Sequence, residues 1–413
     1  MKLVPELFNV LPPDEAYQLF LRHFEPIVRR EAVPTAAALD RVTALPVLSY
    51  EDLPAFTRAT MDGYSVRAAD SFGASEGAPA YLKVAGEVPM GATDPVGIGS
   101  AECAVAYTGG MLARGADAVV MVEHTQQVDA TTIEVVRAVA PGENCVQVGE
   151  DVREGEGVLP AGHRIRPQDI GALMALGITS VEVARKPVVA IVSSGDEVIS
   201  PGEKPKPGQI RDINSYTCQA LVQRAGGEPR LLGIAPDRRE ALEELARRGL
   251  EDADMLVMSA GSSVSSRDMT AQVIASLGQP GILLHGVSIH PGKPTILAIA
   301  GGKPVFGLPG NPVSAMVLFE LMVAPTIKRM LGQTDPDAYS RVFGRLTRRV
   351  ASAPGREDYV QARLEERDGE LWAEPVFGKS NLIFTMVKAD GMIHVPLDRS
   401  GIEAGDVAEI RLF

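Results

Sequence analysis

Four short polar stretches follow apolar runs in the second half of this 413-residue chain. Ser193-Ser-Gly-Asp-Glu197 follows "VVAIV", and Ala235-Pro-Asp237 follows "LLGI". A serine-rich stretch from Ser259 to Asp268 follows "LVM", and Leu308-Pro-Gly-Asn-Pro-Val-Ser314 follows "PVFG". Small residues such as Gly195, Gly261 and Gly310 let backbone N–H groups approach an anion. Ser193, Ser262, Ser263, Ser265 and Ser314 add hydroxyls. A helix starting near Ser314 adds free N–H groups and a favourable dipole. Glu197, Asp237 and Asp268 would repel an anion unless a cation sits between them. The mixture predicts a phosphate-type site served by Mg²⁺, an ion that takes carboxylate, water and phosphate oxygens. Each stretch alone also reads as ordinary structure: Asp237 as a helix N-cap, Ser and Gly as turns. Their recurrence after successive strands favours a site.

Two related words lie close together, Pro291-Gly-Lys-Pro294 and Pro309-Gly-Asn-Pro312. Proline fixes φ and glycine permits a sharp turn. Each word can therefore hold its middle side chain, Lys293 or Asn311, over the strand ends. Lys293 is a point charge suited to phosphate or an oxyanion. His290, just before the first word, reads either as part of that site or as a surface imidazole.

The elements that must position these residues are legible as patterns. Residues 13–30 show helical spacing through Ala16, Leu19, Phe20, Phe24 and Ile27, with Asp14 as the cap. Residues 51–149 have strand-and-turn composition, a β domain. A helix and a strand follow in "RPQDIGALMALGITSVEVARKP". From 186 to 333, short apolar strands alternate with amphipathic helices, one of them capped by Asp237 and the last a long helix from "PVSA". That alternation predicts a doubly wound α/β domain on a parallel sheet. Such sheets bind ligands outside the carboxyl ends of their strands, so the polar stretches should converge on one edge. Residues 340–413 return to β.

The bulk numbers are those of a soluble globular protein of several domains. The net charge of −13 argues against nonspecific nucleic-acid binding, which needs clustered Lys and Arg. Cys103, Cys145 and Cys218 are scattered, so neither a disulfide framework nor a zinc site is expected. No signal core and no apolar run of membrane-span length is present, and a cytoplasmic protein is expected.

The stretches "SSGDEV", "SAGSSVSSRD", "HPGKPT" and "GLPGNPVSA" resemble, in order and spacing, the molybdopterin molybdenumtransferases, the MoeA family that includes the E domain of gephyrin. "ATMDGYSVRAAD", "GADAVVMVE", "GEDVREGEGVLPAGHRI" and "APGREDYVQARL" extend the resemblance over nearly the whole chain. It implies a four-part homodimeric subunit. Residues 1–50 and 150–185 would form one discontinuous domain and 51–149 an inserted β domain. Residues 186–333 would form an α/β domain like the molybdopterin adenylyltransferases, and 340–413 a C-terminal β barrel. The implied reaction takes adenylylated molybdopterin and molybdate, with Mg²⁺, and releases AMP. By position, Asp62, Asp151, Glu197, Asp237 and Asp268 match the family's functional acids, the last three as the magnesium set. Lys293, Ser314, Arg356 and Ser380 match its oxyanion positions, and His290, Pro309 and Asn311 are expected beside them in the substrate site. Many members carry Lys where this chain has His290. Asp62 and Asp151, remote in sequence, are expected to serve the partner subunit's site. Other readings are the adenylyltransferase itself, which would need no "MDGY" domain or barrel, and a gephyrin-like scaffold or cofactor carrier, which would not need the acids. The adenylyltransferase and downstream cofactor-handling proteins are the expected partners, with no nucleic acid and no membrane.

Overall fold

The computed structural model describes residues 10–259, 264–336 and 340–413. Helix α1 (Pro13–Leu21) is shorter than its apolar spacing predicts. It ends at Arg22, before Pro26, which can neither donate a helical hydrogen bond nor follow a helical residue easily. Phe24 still packs into the core from beyond the helix end, while Ile27 is exposed. β1 (Arg30–Pro34) pairs antiparallel with a later strand, which closes the discontinuous segment of the chain. Between them lies a six-stranded sheet in the spatial order 118–121, 63–66, 102–106, 80–87, 132–135, 125–127. α2 (Pro167–Ala175) begins at a proline, and Asp169 reaches back to the Arg166 N–H at 2.8 Å. β2 (Ser180–Ala184) is the partner of β1.

The α/β region runs β3 (Val188–Ser194), α3 (Asn214–Arg224), β4 (Glu228–Ala235), α4 (Arg239–Asp252), β5 (Met255–Ser259) and α5 (Val264–Ser276). It continues with β6 (Pro280–His285), β7 (Ile289–His290), β8 (Ile296–Ala300) and β9 (Lys303–Leu308). α6 (Pro312–Leu318) then joins α7 (Ala324–Met330) through a π turn. The sheet order is β4-β3-β5-β9-β8-β6. β4, β3, β5 and β9 are parallel, but β8 runs antiparallel to both neighbours, so the sheet is mixed rather than parallel throughout. The cause is local. Gly301 and Gly302, at φ +57° and +78°, form a two-residue hairpin between Ala300 and Lys303.

Both faces of the sheet are buried, so β3 is apolar without alternation up to its terminal serines. Val189, Ile191, Met255, Val257, Phe306 and Leu308 pack with α3, α6, α7 and α1 on one face. Val188, Ala190, Val192, Leu256 and Met258 pack with α4 on the other. Helix α1 thus belongs to this core: Phe20 and Phe306 have ring centroids 5.2 Å apart, and the hydroxyls of Tyr17 and Thr326 lie 3.2 Å apart. Full burial of a side chain as large as Phe20 contributes roughly 1.5–3 kcal/mol.

The last segment has β10 (Arg341–Leu346), β11 (Glu357–Arg367), β12 (Glu370–Pro375), β13 (Gly391–Val395) and β14 (Val407–Leu412). Pairing runs β11-β12-β10-β14-β13 and back to β11, a closed barrel. The barrel is fastened to the α/β region where β7 adds parallel to the start of β11, Ile289 opposite Glu357 and His290 opposite Asp358.

Candidate functional site

Because β3, β4, β5 and β9 are parallel, their carboxyl ends lie on one edge, and the loops after them meet there. A cleft of about 340 Å³ opens at this edge, walled by Ser193 and Ser194 at the end of β3 and Glu197 after it, Ser259 at the end of β5, and Gly310 and Asn311 after β9. Its floor is a polar network. Ser193 Oγ donates to Asp212 Oδ1 at 3.0 Å and lies 2.8 Å from Ser215 Oγ. Asn214 Nδ2 donates to Ser259 Oγ at 2.7 Å and to the Gly310 carbonyl at 2.8 Å. This one amide ties the β5 and β9 loops to the first turn of α3. Asn214 Oδ1 and Ser194 Oγ are buried yet have no partner among the described residues. Buried polar atoms are nearly always paired, so two unpaired ones in a cleft mark places for ligand atoms.

One local expectation for the acids fails. Asp237 is not the N-cap of α4; Arg238 holds that position. The Asp237 N–H instead donates to Asp196 Oδ1 at 3.0 Å, joining the β3 and β4 loops. Asp237 Oδ1 is buried without a partner among the described residues. Burial, and then the charges of Asp196 and Glu197, push the Asp237 carboxyl above its usual range. Gly195 makes room for this: at φ +147°, a Cβ there would lie 2.8 Å from Glu197 Oε2. Asp268 is exposed on α5 and is not among the charges acting on Asp237. No group of three metal-ligating side chains is assembled among the described residues. Of the expected set, Glu197 and Asp237 lie together with Asp196, and Asp268 is on α5. Gly261, Ser262 and Ser263 lie outside the described residues.

A second cleft, of about 150 Å³, adjoins the first between the α/β region and the barrel. His290, Arg356, Ser380 and Gln361 line it. The two clefts meet where Asn311 Nδ2 donates to Ser380 Oγ at 3.0 Å, and where the Val313 N–H donates to the Ser380 carbonyl at 3.1 Å. Asn311 occupies the N-cap position of α6 but uses its amide on the barrel rather than on its own helix. Behind His290 and Arg356 stands Asp358, 2% exposed. It lies 2.8 Å from His290 Nδ1 and accepts from Arg356 Nε at 3.2 Å and from the Ser352 hydroxyl. Burial opposes its ionisation, but hydrogen bonds from His290 and Ser352 and the Arg356 charge together hold its carboxyl below the usual range.

The remaining expected residues fall around or away from these clefts. Gly195, Pro309 and Ser314 are buried beneath the strand ends. Lys293 is exposed and lies on neither wall. Gly292 beside it is held at φ +122° against Leu318. Asp62 and Asp151 are exposed, Asp62 just before the 63–66 strand of the first six-stranded sheet and Asp151 after that sheet's last strand. Asp62 Oδ1 accepts from the Thr108 N–H at 2.8 Å and its hydroxyl at 3.0 Å, which lowers its pKa. Sequence reasoning missed Asp212, Asn214, Asn381 and Gln361. The polar "RDINS" just before a helix was the available signal for the first two.

The molecule is thus an α/β domain whose strand-end cleft is extended by a β barrel, with hydroxyls, amides and cations on one side and a knot of acids on the other. Residues 11–177 match the MoeA N-terminal region (domain I and II), 190–329 the "Probable molybdopterin binding domain", and 344–413 the MoeA C-terminal region (domain IV). The chain belongs to the MoeA family. It is 31% identical to the molybdopterin molybdenumtransferase of Nostoc sp., over 98% of this chain and 92% of that one. With that of Bacillus subtilis it shares 30% identity over 97% and 94% of the two chains. A molybdopterin biosynthesis moeA protein from Pyrococcus horikoshii superposes with a TM-score of 0.86 at 32% identity, covering 98% of this chain and 100% of that one.

Proposed function

We propose that this chain is a molybdopterin molybdenumtransferase, a transferase of molybdenum cofactor biosynthesis that inserts molybdate into adenylylated molybdopterin and releases AMP. The observation that carries the reading is the junction of two clefts at the Asn311–Ser380 hydrogen bond. In this reading the strand-end cleft takes the adenylylated substrate. Ser194 and Asn214 meet its polar atoms, and the acids beside the cleft face its phosphates. The adjoining cleft takes molybdate, a tetrahedral dianion that wants charged donors. Arg356 supplies the charge and His290 an imidazole donor, both oriented by Asp358, and Ser380 can donate its own hydroxyl.

Magnesium fits at Glu197 and Asp237, because Asp237 has an unpaired buried oxygen and a carboxyl crowded by like charge. When bound it would neutralise the phosphate oxygens and so favour departure of AMP. One or two carboxylates suffice for an ion that also takes water and phosphate oxygens. Asp62, Asp151 and Asp268 line neither cleft. The first two would reach the cleft of a second copy in a homodimer. No described helix is long and apolar enough to cross a membrane, and the place of action is proposed to be the cytoplasm.

The test is AMP release from adenylylated molybdopterin, followed chromatographically. Release that requires both molybdate and Mg²⁺, and falls at least tenfold in Arg356→Ala, is expected. No release, or release indifferent to molybdate, would overturn the proposal.

A further inference from the structure

Resting on the assignment of the second cleft to molybdate, we propose that Gln361 is a further oxyanion-contacting residue, a neutral donor that completes the wall formed by Arg356, His290 and Ser380. The residue sits on β11, five positions after Arg356, and lines the same cleft. It is 5% exposed, and its Nε2 finds no hydrogen-bond partner among the described residues.

The other polar groups of this wall each commit one atom within the protein. His290 Nδ1 and Arg356 Nε both face Asp358. Ser380 Oγ accepts from Asn311. Asp358 thus offsets part of the positive charge, so capture of a dianion depends on donors as well as on net charge. An amide whose N–H groups are unpaired gives up no existing bond when an anion arrives. Its terminal torsion is broad, so the amide can turn toward a guest without backbone movement. A purely structural glutamine in a barrel wall would instead be expected to be paired, because an unpaired buried donor destabilises the fold.

That contrast supplies the test. Gln361→Leu removes the unpaired donor and keeps an apolar side chain in the wall. Molybdate titrated into the full-length protein by calorimetry is expected to show a Kd raised roughly tenfold, the loss for one hydrogen bond to a charged group. The melting temperature is expected to be unchanged or higher. In turnover, KM for molybdate should rise while kcat at saturation is kept. Gln361→Glu, which keeps the shape but replaces the donor by a carboxylate, should weaken molybdate binding further and covers the case of a poorly folded Leu variant. Wild-type molybdate affinity in a folded Gln361→Leu or Gln361→Glu protein would overturn the inference. Arg356→Ala separates the two levels. If it weakens binding and Gln361→Leu does not, only this inference fails. If neither does, the assignment of the cleft to molybdate fails as well.

Discussion

Asn214 and Ser194 line the same cleft, and their replacement by alanine should differ sharply in its cost to stability. Asn214 Nδ2 makes two hydrogen bonds, to Ser259 Oγ and to the Gly310 carbonyl. Each is worth about 1 kcal/mol net, and stranding a buried acceptor adds a further penalty. Asn214→Ala should therefore lose about 2–3 kcal/mol of stability. It should also release the β5 and β9 loops from α3, weakening AMP by more than the one contact that Oδ1 could make. Ser194 Oγ has no partner to strand among the described residues. Ser194→Ala should leave stability within about 0.5 kcal/mol of wild type and still weaken AMP several-fold. Urea unfolding gives the first quantity and calorimetric titration with AMP the second. An Asn214→Ala protein as stable as wild type, or a Ser194→Ala protein with a full stability loss and unchanged AMP affinity, would refute the reading of the unpaired atoms as ligand partners.

Gly292→Ala should destabilise by about 3 kcal/mol, because its Cβ would lie 2.0 Å from Leu318 Cδ2 at a φ of +122°; a melting temperature equal to wild type would show that the first proline word is not rigidly set. Asp169 is buried beside Arg166, which donates from Nε at 3.0 Å, and beside His163 Nε2 at 2.6 Å. The hydrogen bonds from Arg166, reinforced by His163, hold its carboxyl well below the ordinary range. Its folded pKa is thus below the unfolded value of about 3.9. The stabilisation is fully present above that value and is lost as the pH falls through the folded one. Asp169→Asn should cost about 3 kcal/mol near neutrality, and the gap to wild type in urea unfolding should shrink below about pH 4. A gap that stays constant into strong acid would count against the ion cluster.

The sequence made the strand-end loops legible because each follows an apolar run and parallel strands bring their carboxyl ends together. It misled where one pattern admits two structures. Apolar positions from Ala16 to Ile27 continue a helical spacing, yet the helix stops at Leu21, and Phe24 reaches the core from outside it. The Gly301-Gly302 hairpin was readable in principle, but alternation of strands and helices on either side favoured a parallel reading. Asp237 has the sequence position of a cap, and only the fold reveals Asp196 beside it. Asn214 and Gln361 were hard to read for a different reason. Asn214 had only the polar "RDINS" before its helix as a signal and Gln361, mid-strand, had none; their meaning lies in which of their atoms lack partners.

The most direct test of the two-cleft account is a crystal of the protein grown with AMP and molybdate, with diffraction measured across the molybdenum absorption edge. The account predicts one anomalous peak between Arg356, His290, Ser380 and Gln361, and AMP density against Ser194 and Asn214 on the other side of the Asn311–Ser380 contact. A molybdenum peak elsewhere on the subunit, with the barrel cleft holding only water, would contradict it.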